Sequence, residues 1–533
     1  MFERDSNRFV LIMNEIVWPT IDSKHLIVDS KQMLILEKEM FSDGMPQEAL
    51  MEKAGIQISR WLLKRKRLLK HGITVLIGPG HNGGDGAVIA RELFLKGFHV
   101  QVWCPFSIKK TLTNNHLNYL TSIGVIKLGD PPDANGKELW IDAVFGNNQS
   151  RKVDNKLIKL FNQKFNNKNG KVISIDIPTG LCPNKGEPFL DNAVKADHTL
   201  AIGLHKIGLT QDSALPFIGE LHHIDIGVPI YKLLKIEKKV LKVTYKDLKN
   251  INLPSLPKNS NKYKRGRTLL IAGSEKYPGA GYLALKGAIS SGAGYISAVL
   301  PNVVAESIWQ VAPEIVLKET MQSNQNGNSS LFSALKNIDL SAFDSVAVGP
   351  GIGIDNDDWQ KSKDYFIDYE GLLILDADAL NRISESKLGS NFFLERKFKT
   401  WITPHSKEFR RLFPHIKSDT NLGLAVDAAK EFNISILLKG ANSIVADNKK
   451  VWQLFGTDSQ TARAGLGDLL SGFIAGSSAI DSTFCRNIKT DFFAKYVLLH
   501  SFAASKCKKG SHASVIDDEL SKLMRNIKMR QIS

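Results

Sequence analysis

Short apolar runs, most of them ending on or beside glycine or aspartate, alternate with amphipathic segments along almost the whole chain. They fall at 73–78, 99–104, 139–145, 171–176 and 199–203, then at 268–272, 295–300, 345–348, 372–375 and 434–438. Continuous apolar runs of this length suit strands covered on both faces, and strand-helix alternation builds parallel α/β sheets. A chain of 533 residues exceeds what one hydrophobic core organises. The composition breaks between Pro229 and Tyr263, where a lysine-rich stretch passes into Leu253-Pro254-Ser255-Leu256-Pro257-Lys258-Asn259-Ser260. Prolines and small polar residues mark a linker there, so two α/β domains are expected, at about 22–235 and 240–525.

Charge and cysteine usage narrow the class of partner. The net charge is +16, with Lys232, Lys235, Lys238, Lys239, Lys242, Lys246 and Lys249 close together. Such a run could attract RNA or membrane, but aromatic residues that would stack bases are sparse. It reads as a solvated connector, with no nucleic acid and no membrane expected as partners. No apolar run nears the ~18 residues a membrane helix needs. Residues 1–20 carry Glu3, Arg4, Asp5 and Arg8 and no small-residue cleavage site, so no secretory signal is expected. Cys104, Cys182, Cys485 and Cys507 lie far apart without a CxxC pair, which fits a reducing cytoplasm.

Two anion-binding loops of different design carry the chemistry. Gly78-Pro79-Gly80-His81-Asn82-Gly83-Gly84-Asp85-Gly86 follows a strand and precedes an amphipathic helix expected from Ala87 to Lys96. Backbone amides at a helix start can hold a pyrophosphate, although the bare pattern also fits a structural turn. Asp142 and Asp176 end strands, where side chains point into the crevice that α/β proteins use for ligands. Either could instead cap a turn. In the second half, Gly465-Leu466-Gly467-Asp468 opens a long small-residue helix. It sets free amides where a phosphate would lie and a carboxylate beside a reacting hydroxyl, an anion hole joined to a general base.

The first half resembles the N-terminal domain of the YjeF family, a Rossmann-like NAD(P)H-hydrate epimerase. The residues that carry the likeness are Leu50-Met51-Glu52-Lys53-Ala54-Gly55, the glycine-rich loop, Asp142-Ala143-Val144-Phe145-Gly146 and Asp176-Ile177-Pro178-Thr179-Gly180. The resemblance implies a potassium ion (K+) held by Asn82, Asp142 and Thr179, with Asp176 in acid-base work at the hydrated nicotinamide. It implies a dinucleotide lined by His81, Asn82, Gly83, Gly84, Asp85, Gly146, Asn147, Asn148, Gln149, Ser150, Arg151 and Lys152. His81, Asn147-Asn148 and Thr179 depart from the family's usual asparagine, Thr-Gly-like pair and serine.

The second half resembles the YjeF C-terminal domain, a ribokinase-like fold that acts as an ADP-dependent NAD(P)H-hydrate dehydratase. Its signals run in order: Tyr277-Pro278-Gly279-Ala280-Gly281, Gly349-Pro350-Gly351-Ile352-Gly353, Leu375-Asp376-Ala377-Asp378, Thr403-Pro404-His405, Lys439-Gly440-Ala441-Asn442 and the Gly-Asp loop. By that resemblance Asp468 is the catalytic base and also touches the hydrate, with Ala280, Gly351, Gly353 and His405. Lys439, Gly440, Ala441, Asn442, Ser443 and Gly467 bind the adenine nucleotide, with magnesium (Mg2+) as its companion ion. Arg463 and Ala464 stand where the family has a small hydroxyl residue and glycine.

The expectation is a bifunctional repair enzyme acting on hydrates of NADH and NADPH with ADP as co-substrate, assembled as a homo-oligomer. Two alternatives stay open on the residues: a ribokinase-like small-molecule kinase with an accessory Rossmann domain, and a non-catalytic nucleotide-binding scaffold.

Overall fold

The structure is a computed structural model that describes residues 18–150, 152–237, 239–253, 259–456, 462–482, 488–508 and 511–530, with side chains to 527. Arg151, Cys485 and the linker residues 254–258 therefore lie outside the described residues, as does most of the segment read for a secretory signal. The chain divides into two compact units, Thr20–Lys242 and one that runs from Val243 onward and includes residues 18 and 19.

In the first unit the strands are β1 (Leu26–Val28), β2 (Ile73–Ile77), β3 (Val100–Trp103), β4 (Ile126–Leu128), β5 (Leu139–Ala143), β6 (Val172–Ile175), β7 (His198–Ile202), β8 (His205–Lys206), β9 (Glu220–Ile224) and β10 (Lys239–Val243). A seven-stranded sheet runs β4-β3-β2-β5-β6-β7-β9, every neighbour parallel. β2, β5 and β6 are buried along their whole length, as their continuous apolar runs require. The chain leaves β2 toward β3 on one side and returns to β5 on the other. That reversal opens a crevice at the carboxyl ends of β2 and β5, where parallel sheets bind ligands.

The lysine-rich interval is more structured than a solvated connector. Lys232 lies on the helix Ile230–Lys235, is 5% exposed and pairs with Asp43 at 2.7 Å. β10 pairs antiparallel with β1, and Lys242 lies buried with its ammonium 2.6 Å from His205 Nε2. These apolar stems are covered while their nitrogens find partners, a division that charge counting does not reveal.

The second unit contains β11 (Arg267–Ile271), β12 (Tyr295–Pro301), β13 (Val316–Met321), β14 (Ser345–Val348), β15 (Leu372–Leu375), β16 (Thr400–Ile402), β17 (Ser435–Leu438), β18 (Ile444–Ala446) and β19 (Lys450–Leu454). The order is β13-β12-β11-β14-β15-β16-β17-β18-β19. The pairs are parallel as far as β17, and the last two are antiparallel. The small-residue helix Leu466–Ser482 packs on the helix Pro278–Ser291 so closely that a Cβ on Gly472 would lie 1.7 Å from the Ala284 carbonyl oxygen. The small residues noted in both sequence segments serve this contact as well as the loops they end in. Among the described residues no helix is long and apolar enough to cross a membrane.

Candidate functional site

The glycine-rich loop after β2 turns into helix earlier than its composition suggests. The helix spans His81–Leu95, six residues ahead of the expected start at Ala87, with Gly80 as its N-cap. Glycine is a poor helix former, but here packing decides. A Cβ on Gly83 would lie 2.1 Å from the Gly78 carbonyl oxygen, and one on Gly78 would lie 1.8 Å from that of Val144. The helix start can therefore sit against the ends of β2 and β5 only without side chains at these points.

A cavity of about 310 Å³ opens there. His81, Asn82, Asp85, Gly146, Asn147, Asn148, Gln149 and Asp176 all line it, with Phe41, Leu50 and Met51 on its apolar side. Gly83 and Gly84 are buried behind it, Ser150 and Lys152 are exposed outside its walls, and Gln149 also braces the loop after β6 through Gly180 N and Pro178 O. His81 Nε2 lies 3.3 Å from Gln47 Nε2.

Asp176 is the centre of this cavity's polar wall. Its φ is +65°, a left-handed conformation that costs about 1–3 kcal/mol for a residue with a side chain. The carboxylate accepts from three donors: Lys206 Nζ at 2.5 Å and Ile202 N at 3.4 Å on Oδ1, and Asn147 N at 2.7 Å on Oδ2. Lys206 was not foreseen in the sequence, and neither was Glu37. Burial, with the neighbouring Asp176 and Glu37 carboxylates, pushes the Asp85 carboxyl well above its ordinary range. Glu37 is raised too, first by burial and then by Asp176, against the pull of Lys206. The wall thus combines an ion pair with two carboxyls biased toward the protonated form.

Behind it, Asp142 is fully buried at the end of β5. It accepts hydrogen bonds from Thr179 Oγ1 at 2.7 Å, Thr179 N at 2.9 Å, Ser174 Oγ at 2.9 Å and Val144 N at 3.3 Å. Burial raises its carboxyl despite these four donors, none of which carries a charge. Asn82 and Asp176 approach each other across Gly146, whose Cβ would meet Asp176 Oδ2 at 2.8 Å and Asn82 Oδ1 at 2.9 Å.

In the second unit the Gly-Asp loop begins the helix Leu466–Ser482 with Asp468 in its first turn. Lys439, at the end of β17, reaches back so that its ammonium lies 3.6 Å from where a Cβ of Gly467 would stand, and 2.7 Å from Asp376 Oδ1. Burial pushes the Asp376 carboxyl up, but Lys439 overrides it and the net shift is downward. Asp376 also accepts from Ser471 Oγ. Burial and then the Asp376 charge push Asp468 up to about 6. A carboxyl that titrates near neutrality is suited to proton transfer at working pH.

A cavity of about 210 Å³ beside this loop is lined by Lys439, Gly440, Ala441, Ser443 and Gly467, with Leu454, Leu470 and Val497 as its apolar side; Asn442 is buried but is not among its walls. Ala280 and Gly351 meet, the Cβ of Ala280 lying 2.5 Å from where one on Gly351 would be. Gly353 N donates to Asp378 Oδ2 at 2.9 Å, and the Asp378 charge acts on Asp468. His405 caps the helix Ser406–Leu412 through Nδ1, and its backbone bridges to Lys439. It is half-exposed, and a helix-capping role already accounts for its position.

The two departures in the loop resolve simply. Arg463 Nη1 donates to the Ser511 carbonyl oxygen. Positive φ falls on Gly465, at +83°, and Ala464 is not among the left-handed residues. The methyl at 464 therefore carries no backbone strain.

Residues 47–208 match the family described as YjeF-related protein N-terminus, and residues 268–526 the family described as NAD(P)H-hydrate dehydratase. The bifunctional NAD(P)H-hydrate repair enzyme Nnr of Synechocystis sp. is 35% identical over 463 residues, covering 86% of this chain and 86% of the relative. That of Gloeobacter violaceus is 35% identical over 460 residues, covering 84% and 88%. Among solved structures, the ADP/ATP-dependent NAD(P)H-hydrate dehydratase from Bacillus subtilis, co-crystallised with ATP/Mg2+, is 23% identical with a TM-score of 0.43, covering 53% of this chain and 97% of that one. With both halves matched in order and the likeness running through most of the length, the chain belongs to the family of bifunctional NAD(P)H-hydrate repair enzymes.

Proposed function

We propose that this chain repairs hydrated nicotinamide coenzymes in two steps, with an epimerase at 22–235 and an ADP-dependent dehydratase at 240–525. The observation that carries the reading is the approach of the Lys439 ammonium to the Gly-Asp loop, whose Asp468 is pushed up to about 6, beside a cavity of about 210 Å³.

In the first domain the hydrate's C6 carries both a hydroxyl and the ring nitrogen. Inversion needs the C6–O bond to break and re-form on the other face. The ring nitrogen's lone pair drives the oxygen out as water once a proton reaches it. The carboxyls of Asp85 and Glu37, which burial biases toward the protonated form, can give that proton, and Asp176, anchored by Lys206, can take one back from the returning water. K+ would be held by Asn82, Asp142 and Thr179. The Asp142 carboxylate, which is fully buried and has no charged donor, the Thr179 hydroxyl and the Asn82 amide oxygen are oxygen ligands of the kind a hard monovalent cation takes. Its charge would hold the coenzyme's phosphates near the helix His81–Leu95.

In the second domain Asp468 takes the proton of the 6-hydroxyl as that oxygen attacks the terminal phosphoryl group of ADP, releasing AMP. Phosphate is a good leaving group; the ring nitrogen's lone pair expels it, and loss of a proton from C5 restores the dihydronicotinamide. Lys439 neutralises charge on the transferring phosphoryl group, and the amides at Gly467 hold its oxygens. Mg2+ travels chiefly with the nucleotide's own phosphates. The carboxylates of Asp378 and Asp468, which repel one another, fit a nearby divalent ion. Unpaired Cys104, Cys182 and Cys507 support a reducing, cytoplasmic setting.

The test supplies mixed hydrates with ADP, ATP or neither and follows the absorbance of reduced nicotinamide. Complete recovery with ADP is expected. Recovery of the S fraction alone would remove the first activity, and a stable phosphorylated product without recovered absorbance would replace the second with a kinase.

A further inference from the structure

The strongest group of side chains outside both sites lies at the opposite end of the first domain's sheet. β7 and β9 pair in parallel with His198 opposite Glu220 and Leu200 opposite His222. Side chains two apart on a strand share a face, so His198, Glu220 and His222 project together, toward the helix Gln47–Leu63. Further along, that face is ordinary core: Leu200 and Ile224 pack with Ile58 and Leu62. At the amino ends of the strands the apolar pattern gives way to two imidazoles and a carboxylate under the Trp61 ring, whose centroid lies 5.4 Å from His198 and 4.8 Å from His222.

Three particular atoms converge. His198 Nδ1 and His222 Nε2 are 3.2 Å apart, and Glu220 Oε2 lies 3.4 Å from the first and 3.5 Å from the second. The triangle is nearly equilateral. A tetrahedral zinc ion about 2.0–2.1 Å from each donor sets its donors about 3.3–3.4 Å apart. A hydrogen bond between the two imidazoles explains one edge of this triangle; it does not explain why the same carboxylate oxygen completes the other two.

We propose that His198, Glu220 and His222 form a binding site for a zinc-class divalent transition metal, with a water molecule in the fourth position. The Glu220 side chain is 74% exposed, so the fourth position opens to solvent. Borderline imidazole donors with one carboxylate select zinc, cobalt, nickel or copper over magnesium or calcium. β9 ends the sheet order, and the ion would clamp this edge strand to β7. Arg65, stacked over Trp61 at 3.7 Å, Lys171, paired with Asp197, and Lys242, whose charge acts on His222, moderate the affinity.

The test titrates the full chain with Co2+ and reads visible d–d absorption, followed by displacement with Zn2+. One equivalent with the intense spectrum of a tetrahedral ion is expected, and Zn2+ should raise the melting temperature. The variant His198→Ala/His222→Ala should lose that equivalent and the thermal shift. Glu220→Gln, at an exposed position that leaves the core untouched, should weaken Co2+ by at least about tenfold, the scale on which even outer partners of a metal act. Identical uptake by wild type and the double variant, an octahedral spectrum, or no uptake by wild type would overturn the proposal.

Discussion

Lys206 Nζ lies 2.5 Å from Asp176 Oδ1, and the two side chains are 1% and 9% exposed. A pair this enclosed has no water to take over when one member is lost, so it must be present in the free enzyme before any coenzyme arrives. Lys206→Met leaves a buried carboxylate without its counter-charge, a loss of about 3–5 kcal/mol. Denaturant unfolding should register that fall in the first domain. Epimerisation should be lost while dehydration of the S hydrate, in the other domain, keeps its rate. Unchanged epimerisation would remove Lys206 and Asp176 from the chemistry.

Asp468 offers a pH test with a fixed sign. As the proposed base it would work ionised, so the dehydratase kcat should rise with pH, with a midpoint near the raised pKa of about 6, and level off above it. Asp468→Asn should lower kcat by about 10²–10⁴ while ADP still binds. Because the folded-state pKa lies above the ordinary value of 3.8, protonation favours the folded state; that stabilisation is complete below the ordinary value and lost as pH rises through about 6. The asparagine variant should therefore melt higher than wild type above that pH, with the advantage shrinking below it. A variant that is no more stable at alkaline pH would show that the carboxyl is better solvated than its surroundings imply.

Much of the fold was legible because parallel strands buried on both faces announce themselves as apolar runs. Every run noted in the sequence, from 73–78 to 434–438, contains or overlaps a strand. What escaped notice had other patterning: β9 reads Glu-Leu-His-His-Ile, polar residues alternating on a strand that is only partly covered. β18 and β19 form a hairpin whose Asp447-Asn448 turn is a usable signal. The motif residues were legible because glycine and aspartate at strand ends have few other uses. Lys206 was not, because its partner lies 30 residues earlier and nothing local in His205-Lys206 distinguishes it from a surface lysine.

If K+ binds at the buried Asp142 as proposed, it has a measurable effect on folding. A cation that binds only the native state adds about 2.7 kcal/mol at a hundred times its Kd. The melting temperature of wild type should rise in potassium chloride relative to choline chloride at equal ionic strength. Asp142→Asn, which keeps the size and removes the charge, should abolish the difference along with any stimulation of epimerase by K+. A K+ shift that survives in the variant would place the ion elsewhere.

The Gly-Asp loop yields a paired prediction that separates backbone geometry from family resemblance. The resemblance implies glycine at the position of Ala464, yet the left-handed φ of +83° belongs to Gly465. Ala464→Gly should therefore leave the KM for ADP unchanged and cost no more than about 0.5–1 kcal/mol, the entropy of a freed backbone. Gly465→Ala meets both obstacles at once: the strained φ, and a Cβ only 2.4 Å from Leu283 Cδ1. It should destabilise by more than about 1 kcal/mol and raise the KM for ADP, because the amides at Gly467 and the start of the helix move with it. If Ala464→Gly improved ADP binding while Gly465→Ala were neutral, the residue that shapes the anion hole would be 464, and the loop would have to refold when the nucleotide binds.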